Sequence, residues 1–278
     1  MNNIGPNISL VTAFFDIGRG NWQGFLNGHP LPVYLRRDVG NYFHAFERLL
    51  KLDNDIVVFT SSDLVDRFKP YQDKKPNLTV IGFNDWVRDL HPEIRAKVSK
   101  IQNDPKFYSM VQQPWNPEYW SVSYIMVNLL KSYFVNYAIE WELVNTELLG
   151  WVDFAYPRSD DNIPKSGIWD YNFNPEKIHF FSGKRNVPHA IDVVDLIVTN
   201  NVLIHGCHIV AHKDKWSFFM TEMFKNMNIL LDNNLVDDDQ TLLAMCYVSD
   251  PEKYEIHYID ESNGGWFQAM TLFNDSLS

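Results

Sequence analysis

The sequence has few cysteines and no excess of basic residues, and both shortages narrow the class of protein. Its 278 residues include two cysteines, Cys207 and Cys246, and no CxxC motif, so we expect no disulfide framework. Basic residues number 24 against 35 acidic ones, and the net charge of −11 argues against a nucleic-acid partner. No apolar run approaches the roughly 18 residues of a membrane-spanning helix. We therefore expect a soluble, cytoplasmic protein. Peripheral association with the inner face of the membrane is open at this point.

Several motifs that identify common enzyme classes are also missing. GxGxxG, GxxxxGK[ST], GxSxG and HExxH do not occur, which removes the usual signals for dinucleotide, P-loop, α/β-hydrolase and zinc-protease sites. His205, His208 and His212 have the spacing of metal ligands, but they lie in or next to a strand-like run at 202–211. On a strand, residues 205 and 208 point to opposite faces, so zinc is the minority interpretation there.

Aromatic residues are what the sequence has in excess. It contains 9 Trp, 13 Tyr and 19 Phe, which make up 15% of the chain. The hydrophobic share of 45% and the charged share of 21% are those of a globular protein. Large flat side chains suit clefts that stack on rings, although most of them belong to the core.

Apolar runs alternate with amphipathic helices in the first part of the chain. Buried strands are predicted at 8–15, 55–60 and 78–83, and a helix capped by Asn41 separates the first two. This alternation predicts an α/β fold, a mostly parallel sheet flanked by helices.

The rest of the chain predicts a more antiparallel C-terminal half. The longest helical stretch covers 120–147 and leads into a strand that ends at Val152, and the turn-rich segment 157–175 is expected to be a loop. No linker is visible, so a single domain over 1–278 is predicted, with halves at 1–156 and 157–278. Further helices are predicted at 92–102, 216–231 and 239–248, and further strands at 178–181, 202–211 and 254–259.

Polar residues follow the predicted strands at the edge where open parallel sheets bind ligands. Arg19 lies between Gly18 and Gly20 after the first strand. There it could form a bidentate contact with a diphosphate, or it could be a solvated arginine in a turn. Asp153 follows the buried run Leu-Gly-Trp-Val, so it needs a cation or several donors. A divalent metal that holds a diphosphate would supply that charge, and an Asx-type turn cap is the alternative.

Three consecutive carboxylates, Asp237, Asp238 and Asp239, precede the predicted helix at 239–248. One of them is expected to be the helix N-cap. A carboxylate at a helix N-terminus also suits a general base that takes a proton from a hydroxyl in a cleft. Neighbouring carboxylates oppose the helix dipole, so the direction of the pKa shift is open at this point.

Four parts of the chain together resemble the bacterial HtrL/YibB-like family. They are TAFFDIGRGNW (12–22), VYLRRDVGNYFHAFERLLKLDNDIVVFTS (33–61), LLKSYFVNYAIEW with LLGWVDFAY (129–141 and 148–156), and DDDQTLLA (237–244). Members of the family are found with surface-polysaccharide genes and look like GT-A glycosyltransferases. The resemblance implies a GT-A-like domain with a nucleotide-sugar half (1–156) and an acceptor half (157–278). The implied reaction transfers a hexose to a hydroxyl of a surface glycan such as O-antigen, capsule or lipopolysaccharide, and this acceptor can be lipid-linked. UDP-galactose is the first donor to consider.

The resemblance also implies roles for individual residues. Asp239 matches the acidic residue that deprotonates the acceptor in inverting enzymes, with Asp238 as its competitor. Asp153 stands where GT-A enzymes carry an Asp-x-Asp motif, but Ala155 replaces the second aspartate, so dependence on Mn²⁺ or Mg²⁺ is open and His257 is the candidate second ligand. The implied nucleotide-sugar residues are Thr12, Ala13, Phe14, Asp16, Arg19, Phe59, Thr60, Lys131 and Asp153, with Phe59 and Thr60 on the base.

Two other functions remain open at the level of the sequence. The missing second aspartate is compatible with a non-catalytic carbohydrate-binding or regulatory protein that keeps the fold. Asp153 and the carboxylates at 237–239 could also serve a metal-dependent sugar-phosphate hydrolase.

Overall fold

Seven strands form the central sheet, in the order β5-β4-β1-β6-β8-β7-β9. A computed structural model describes residues 7–22, 25–26, 29–84, 90–260 and 265–275. A two-stranded antiparallel hairpin, β2 (Phe25–Leu26) and β3 (His29–Pro30), lies outside the central sheet. The central strands are β1 (Ile8–Phe14), β4 (Ile56–Ser61), β5 (Leu78–Phe83), β6 (Leu148–Val152), β7 (Ile178–Ser182), β8 (His208–His212) and β9 (Tyr254–Tyr258).

One strand of the sheet, β8, runs opposite to the other six. β5, β4, β1 and β6 run parallel to one another, whereas β8 runs antiparallel to both β6 and β7. At the far edge, β9 pairs parallel to β7. The predicted α/β fold, mostly parallel and more antiparallel toward the C-terminal half, is confirmed. Because β6 pairs with β8 along its whole length, one sheet continues across the boundary between the two predicted halves.

Ten α-helices of the described residues accompany the strands. Those predicted at 92–102, 216–231 and 239–248 are confirmed to within one residue. The helices are α1 (Val39–Leu49), α2 (Lys69–Gln72), α3 (Pro92–Gln102), α4 (Pro105–Met110), α5 (Val122–Leu129), α6 (Lys131–Glu140), α7 (Val193–Thr199), α8 (Trp216–Asp232), α9 (Asp239–Ser249) and α10 (Ala269–Leu272).

Helix α1 begins earlier than predicted. Its N-cap is Asp38, whose Oδ1 accepts from the Asn41 backbone N–H at 2.8 Å. The Asn41 side chain accepts in turn from the Asp38 N–H at 3.2 Å, so the two residues form a reciprocal capping box. The prediction of Asn41 as the cap was therefore wrong, because Asn41 is the third residue of the first turn.

The long helix predicted at 120–147 is two helices, and the strand predicted at 202–211 is shorter. The first break falls at Leu130, whose ψ of 1° ends α5 and places Lys131 at the start of α6. The second helix ends at Glu140, and the chain then turns through Glu142, which has a positive φ of 53°. Of the predicted strand at 202–211, only the part from His208 onward joins the sheet.

Both faces of the sheet are covered, which leaves its edges for a site. Side chains alternate along β1, so Val11 and Ala13 pack into one core cluster while Leu10 and Phe14 pack into the other. Helices α5, α6, α8 and α9 contribute to the first cluster, and α1 with α10 contributes to the second. A ligand therefore reaches the sheet at the carboxyl ends of its parallel strands.

Candidate active site

A cavity of about 400 Å³ opens at the carboxyl ends of β1 and β6. The end of β1 and the segment after it, residues 13–17 and Arg19, form one wall, and Asp153 to Tyr156 after β6 form another. Helices α5 and α6 and the first turn of α9 close its inner side. The cavity thus lies at the edge of the sheet where the sequence predicted a site.

Lys131 occupies the centre of the inner wall. Its ammonium Nζ donates to Asp239 Oδ2 at 2.8 Å and to the carbonyl of Gly206 at 2.8 Å, and it lies 3.0 Å from Asp153 Oδ1. An ammonium has three donors, and three oxygen atoms occupy them here. Burial opposes the charge, but the two carboxylates outweigh it and raise the pKa of Lys131 above its usual value. The side chain is therefore a fixed positive charge inside the cavity wall.

Asp153 has a cation partner, which the sequence left open between a metal, other donors and a turn cap. Its Oδ1 accepts from the Trp151 indole N–H at 2.9 Å in addition to the contact with Lys131. The Asp153 backbone N–H donates to the carbonyl of Cys207 at 2.8 Å, which fastens the end of β6 to the segment that precedes β8. The carboxylate is 40% exposed, so its other oxygen can face the cavity.

The three carboxylates at the start of α9 take three different partners. Asp238 is the N-cap and accepts from the Gln240 N–H at 3.0 Å, whereas Asp237 accepts from the Thr241 hydroxyl at 2.6 Å. Asp239 pairs with Lys131, and a Cβ atom at Gly206 would lie 2.2 Å from Asp239 Oδ2, so this approach requires glycine. The capping prediction for this cluster is confirmed for Asp238.

Burial raises the pKa of both Asp238 and Asp239. For Asp238, the neighbouring charges of Asp239 and Asp237 raise the pKa further, and it lies well above its usual value. For Asp239, the Lys131 ammonium opposes the effect of burial. The direction of the pKa shift, which the sequence left open, is thus upward, and burial is its largest cause.

Three arginines line the same cavity. Arg19 donates through Nε to the carbonyl of Leu35 at 3.0 Å and through a terminal nitrogen to the Tyr42 hydroxyl at 2.7 Å. Arg158 stacks on the ring of Phe267, with its guanidinium carbon 4.8 Å from the ring centroid. Burial and the charge of Arg37 together lower the pKa of Arg158. Because the half-buried Arg37 and the more exposed Arg158 repel each other, this wall favours an anionic ligand.

The sequence analysis missed Arg37 and Arg158. Arg37 stands directly before the α1 cap, and Arg158 stands in the predicted loop at 157–175. Nothing in the local pattern distinguishes either of them from a surface arginine. Only the pairing of β1 with β6 brings their two segments to one cavity.

Most of the predicted site residues line the cavity, and four do not. The residues that line it are Ala13, Phe14, Asp16, Arg19, Lys131, Asp153, Asp238 and Asp239. Thr12, Phe59, Thr60 and His257 lie elsewhere. Phe59 is buried in the core against Phe134, and the Thr60 hydroxyl donates to the Phe14 carbonyl at 2.7 Å, so both hold the sheet together rather than facing the cavity.

His257 is far from Asp153 in the sheet. It lies on β9, which is three strands away from β6, or roughly 14 Å at the usual strand spacing. Its Nε2 lies 2.9 Å from Nδ1 of His179 on β7. The structure therefore does not bring His257 beside Asp153.

The chain matches a known family over almost its whole length. The profile described as "bacterial protein of unknown function (HtrL_YibB)" matches residues 6–275. This chain belongs to the HtrL/YibB family. Protein HtrL of Escherichia coli (strain K12), a relative in the HtrL/YibB family, is 38% identical over 275 residues, which cover 96% of this chain and 93% of HtrL.

Two solved structures are similar to this HtrL/YibB chain at a distance. Mouse xyloside xylosyltransferase 1 in its apo form has a TM-score of 0.40 at 10% identity, covering 95% of this chain and 93% of the other. A cytidylyltransferase from Leptospira borgpetersenii serovar Hardjo-bovis (strain JB197) has a TM-score of 0.33 at 13% identity, covering 91% and 75%. Both likenesses are too distant to carry a functional argument. Among the described residues, no helix is long and apolar enough to cross a membrane.

A further acidic residue, Glu118, lies behind the carboxylates of α9 in this HtrL/YibB protein. Glu118 is 5% exposed, and burial together with the charge of Asp237 raises its pKa to about 8. Burial raises the pKa of Asp237 to about 7. Because the two groups interact, the pair retains a proton near neutral pH. The sequence analysis did not identify Glu118, which lies in a short 3₁₀ turn.

Replacement of Glu118 by glutamine is expected to remove part of the pH dependence of stability. The folded-state pKa of about 8 lies above the ordinary value of 4.5, so the unfolded chain releases this proton first as the pH rises. The stability that protonated Glu118 contributes is thus full below the ordinary pKa and is lost as the pH rises through about 8. Chemical denaturation from about pH 5 to about pH 9 should show a smaller loss for Glu118→Gln than for the wild type. The exposed Glu142→Gln serves as control, and equal losses in all three proteins would contradict the assignment.

Proposed function

We propose that this HtrL/YibB protein is a glycosyltransferase that uses a nucleotide diphosphate sugar, a UDP-hexose, as donor and a glycan hydroxyl as acceptor. The observation that carries the proposal is the cavity wall, where Arg19, Arg37 and Arg158 surround a space next to the Lys131 ion-pair cluster. In a chain with a net charge of −11, three arginines around one cavity favour an anionic ligand.

The arginines fit the diphosphate of the donor. Lys131 is already matched by Asp153 and Asp239 at 3.0 and 2.8 Å. Among the described residues, neither Arg37 nor Arg158 forms a salt bridge, and the charge of Asp153 acts on both only from a greater distance. A diphosphate offers several acceptor oxygens to planar guanidiniums, and charge-assisted hydrogen bonds of this kind are strong. The arginines would also stabilise the charge that develops on the leaving diphosphate.

Aromatic rings and carboxylates complete the proposed site. Tyr42, Tyr124, Trp266 and Phe267 line the cavity and offer flat faces to a base or a sugar ring. Asp153 and Asp239, held by Lys131, offer fixed acceptors to sugar hydroxyls. The family resemblance makes UDP-galactose the first donor to test and a surface glycan the acceptor class.

The proposal predicts that UDP binds and that Arg158→Ala weakens it. Loss of one charge-assisted contact should reduce the affinity by roughly 1.5–3 kcal/mol. Isothermal titration of UDP against the wild type and the variant measures this difference. The matched control is Arg185→Ala, which removes an exposed arginine that stacks on Tyr258 and does not line the cavity.

Three results would contradict the proposal. A wild type that binds no nucleoside diphosphate would leave the carbohydrate-binding or hydrolase alternatives. Equal UDP affinities for the wild type, Arg158→Ala and Arg185→Ala would remove the arginine wall from the site. Hydrolysis of a sugar phosphate without transfer to an acceptor would favour the hydrolase.

We propose that Asp238 activates the acceptor and that Asp239 positions the donor sugar. Both were candidate bases, and both line the cavity. Asp239 is fixed by the Lys131 ammonium, which makes its carboxylate less basic, whereas neighbouring carboxylates make Asp238 more basic. A general base works best when its pKa approaches the working pH.

Asp238→Asn is therefore expected to lower the turnover number by roughly 10²- to 10⁴-fold while UDP affinity stays near the wild-type value. Asp239→Asn should weaken UDP-sugar binding as well as turnover, because Lys131 loses a partner. Steady-state kinetics combined with UDP titration separates the two cases. Exchanged results would make Asp239 the base, and if neither variant slows transfer, a retaining route replaces the base mechanism.

A divalent metal at Asp153 does not fit the residues around it. Asp153 Oδ1 already accepts from Lys131 and Trp151, Ala155 stands where a second aspartate would, and His257 lies three strands away. A dication held by Asp153 would also lie close to the Lys131 ammonium, so the two like charges would repel each other. We propose that Lys131 supplies the positive charge at this position.

UDP affinity is accordingly expected to be the same in chelator and in Mg²⁺ or Mn²⁺. Lys131→Met should lose turnover, because Asp153 and Asp239 would then face each other without a cation. Titration of UDP under the three ionic conditions, with transfer assays in parallel, provides the measurement. UDP binding that needs Mn²⁺ in the wild type would restore the metal prediction for Asp153.

A further inference from the structure

A group of metal-binding side chains lies outside the cavity, on the edge strand β9 and its neighbour β7. The register pairs His179 with Glu255 and Phe181 with His257. Side chains two residues apart share one face of a strand, so His179, Glu255 and His257 project to the same side of the sheet. Their possible ligand atoms all lie within 4.8 Å of one another.

The separations of these atoms are close to those of a zinc site. Nδ1 of His179 lies 2.9 Å from Nε2 of His257 and 3.7 Å from Oε2 of Glu255. Ligand bonds of roughly 2.0–2.1 Å in tetrahedral geometry place neighbouring donor atoms about 3.3 Å apart. Shifts of about 0.4 Å would therefore bring both pairs to the separation that zinc requires.

The hydrogen bond on the far side of His179 fixes which nitrogen can bind a metal. Nε2 of His179 lies 2.9 Å from the backbone carbonyl of Asn174. A carbonyl oxygen only accepts, so Nε2 carries the proton and the lone pair of Nδ1 points toward His257 and Glu255. Zinc-ligating histidines characteristically donate their second N–H to a carbonyl or carboxylate in this way.

Aromatic rings restrict the movement of both imidazoles. The Phe173 ring lies 4.7 Å from the His179 ring, and Phe273 lies 4.7 Å from His257. His179 is fully buried and His257 is 9% exposed, whereas the Glu255 side chain is 46% exposed. The pair is thus held rigidly by the core, with the carboxylate on the side from which an ion can enter.

We propose that His179, His257 and Glu255 bind a zinc ion, with water as the fourth ligand, and that this ion ties the edge strand β9 to β7. Such a site is separate from the cavity, because β9 lies three strands from β6. It would also protect an edge strand that has only one neighbour in the sheet. The ion would act on stability and not on the transfer reaction.

Zinc titration of the untagged, chelator-treated full chain tests the proposal. We expect one zinc ion per chain, a higher Tm in the zinc-loaded protein, and visible absorption bands typical of tetrahedral coordination when Co²⁺ replaces zinc. Glu255→Gln should lower the affinity for zinc at least roughly tenfold, and because Glu255 is half-exposed, the variant should still fold. The control Glu252→Gln, at an exposed position outside the group, should leave the affinity for zinc unchanged.

Three results would overturn the proposal. The first is a wild type that takes up no zinc, which would leave His179 and His257 as a hydrogen-bonded pair in the core. The second is equal zinc affinity for Glu255→Gln and Glu252→Gln. The third is loss of UDP binding on removal of zinc, which would place the ion at the cavity instead. UDP binding without zinc binding would leave the proposed function intact, so the two proposals fail separately.

Discussion

The contacts of the Lys131 ammonium hold together the part of the molecule from which the cavity is built. One charge joins the start of α6, the end of β6, the segment before β8 and the first turn of α9. A buried ammonium without partners, or a buried carboxylate without its cation, is strongly unfavourable, and breaking such a pair costs about 3–5 kcal/mol. The ion pairs of Lys131 thus fix the relative positions of residues that are widely separated along the chain.

The change of strand direction explains why this meeting point exists. Because β8 runs antiparallel to β6, the segment that precedes β8 returns to the carboxyl end of β6. Gly206 and Cys207 consequently lie beside Asp153, where one carbonyl accepts from Lys131 and the other from the Asp153 N–H. A glycine at 206 then leaves room for the Asp239 carboxylate. The topology, a small residue and an ion pair together define the inner wall.

The sequence predicted elements well where the signal is local. The helix at 92–102 was predicted with its bounds because proline starts it and its apolar spacing is regular. The break at Leu130 was missed because the apolar spacing continues through it, although the break sets where Lys131 points. Asp153 and Asp238 were identified because the end of a strand and the start of a helix are visible in sequence.

Other parts of the site depend on contacts that no local pattern encodes. Arg37 and Arg158 meet only after β1 pairs with β6, and Glu118 faces Asp237 only after α9 packs against its neighbours. The family resemblance assigned Phe59 and Thr60 to the nucleotide base. Their place inside the sheet, away from the cavity, depends on how β4 sits between β1 and β5, which the strand's own sequence does not contain.

The charge of the cavity differs from its formal count of acids and bases, and burial is the reason. Four carboxylates would offset the arginines if all were ionised: Asp238 and Asp239 line the inner wall, and Glu118 and Asp237 are buried behind it. The raised pKa values of about 8 for Glu118 and about 7 for Asp237 keep protons behind that wall near neutral pH. The arginines remain charged, because a guanidinium keeps its proton even when its pKa falls. Burial therefore lowers the negative charge around the cavity more than the positive charge of the arginines, which is the charge balance that the proposed anionic donor needs.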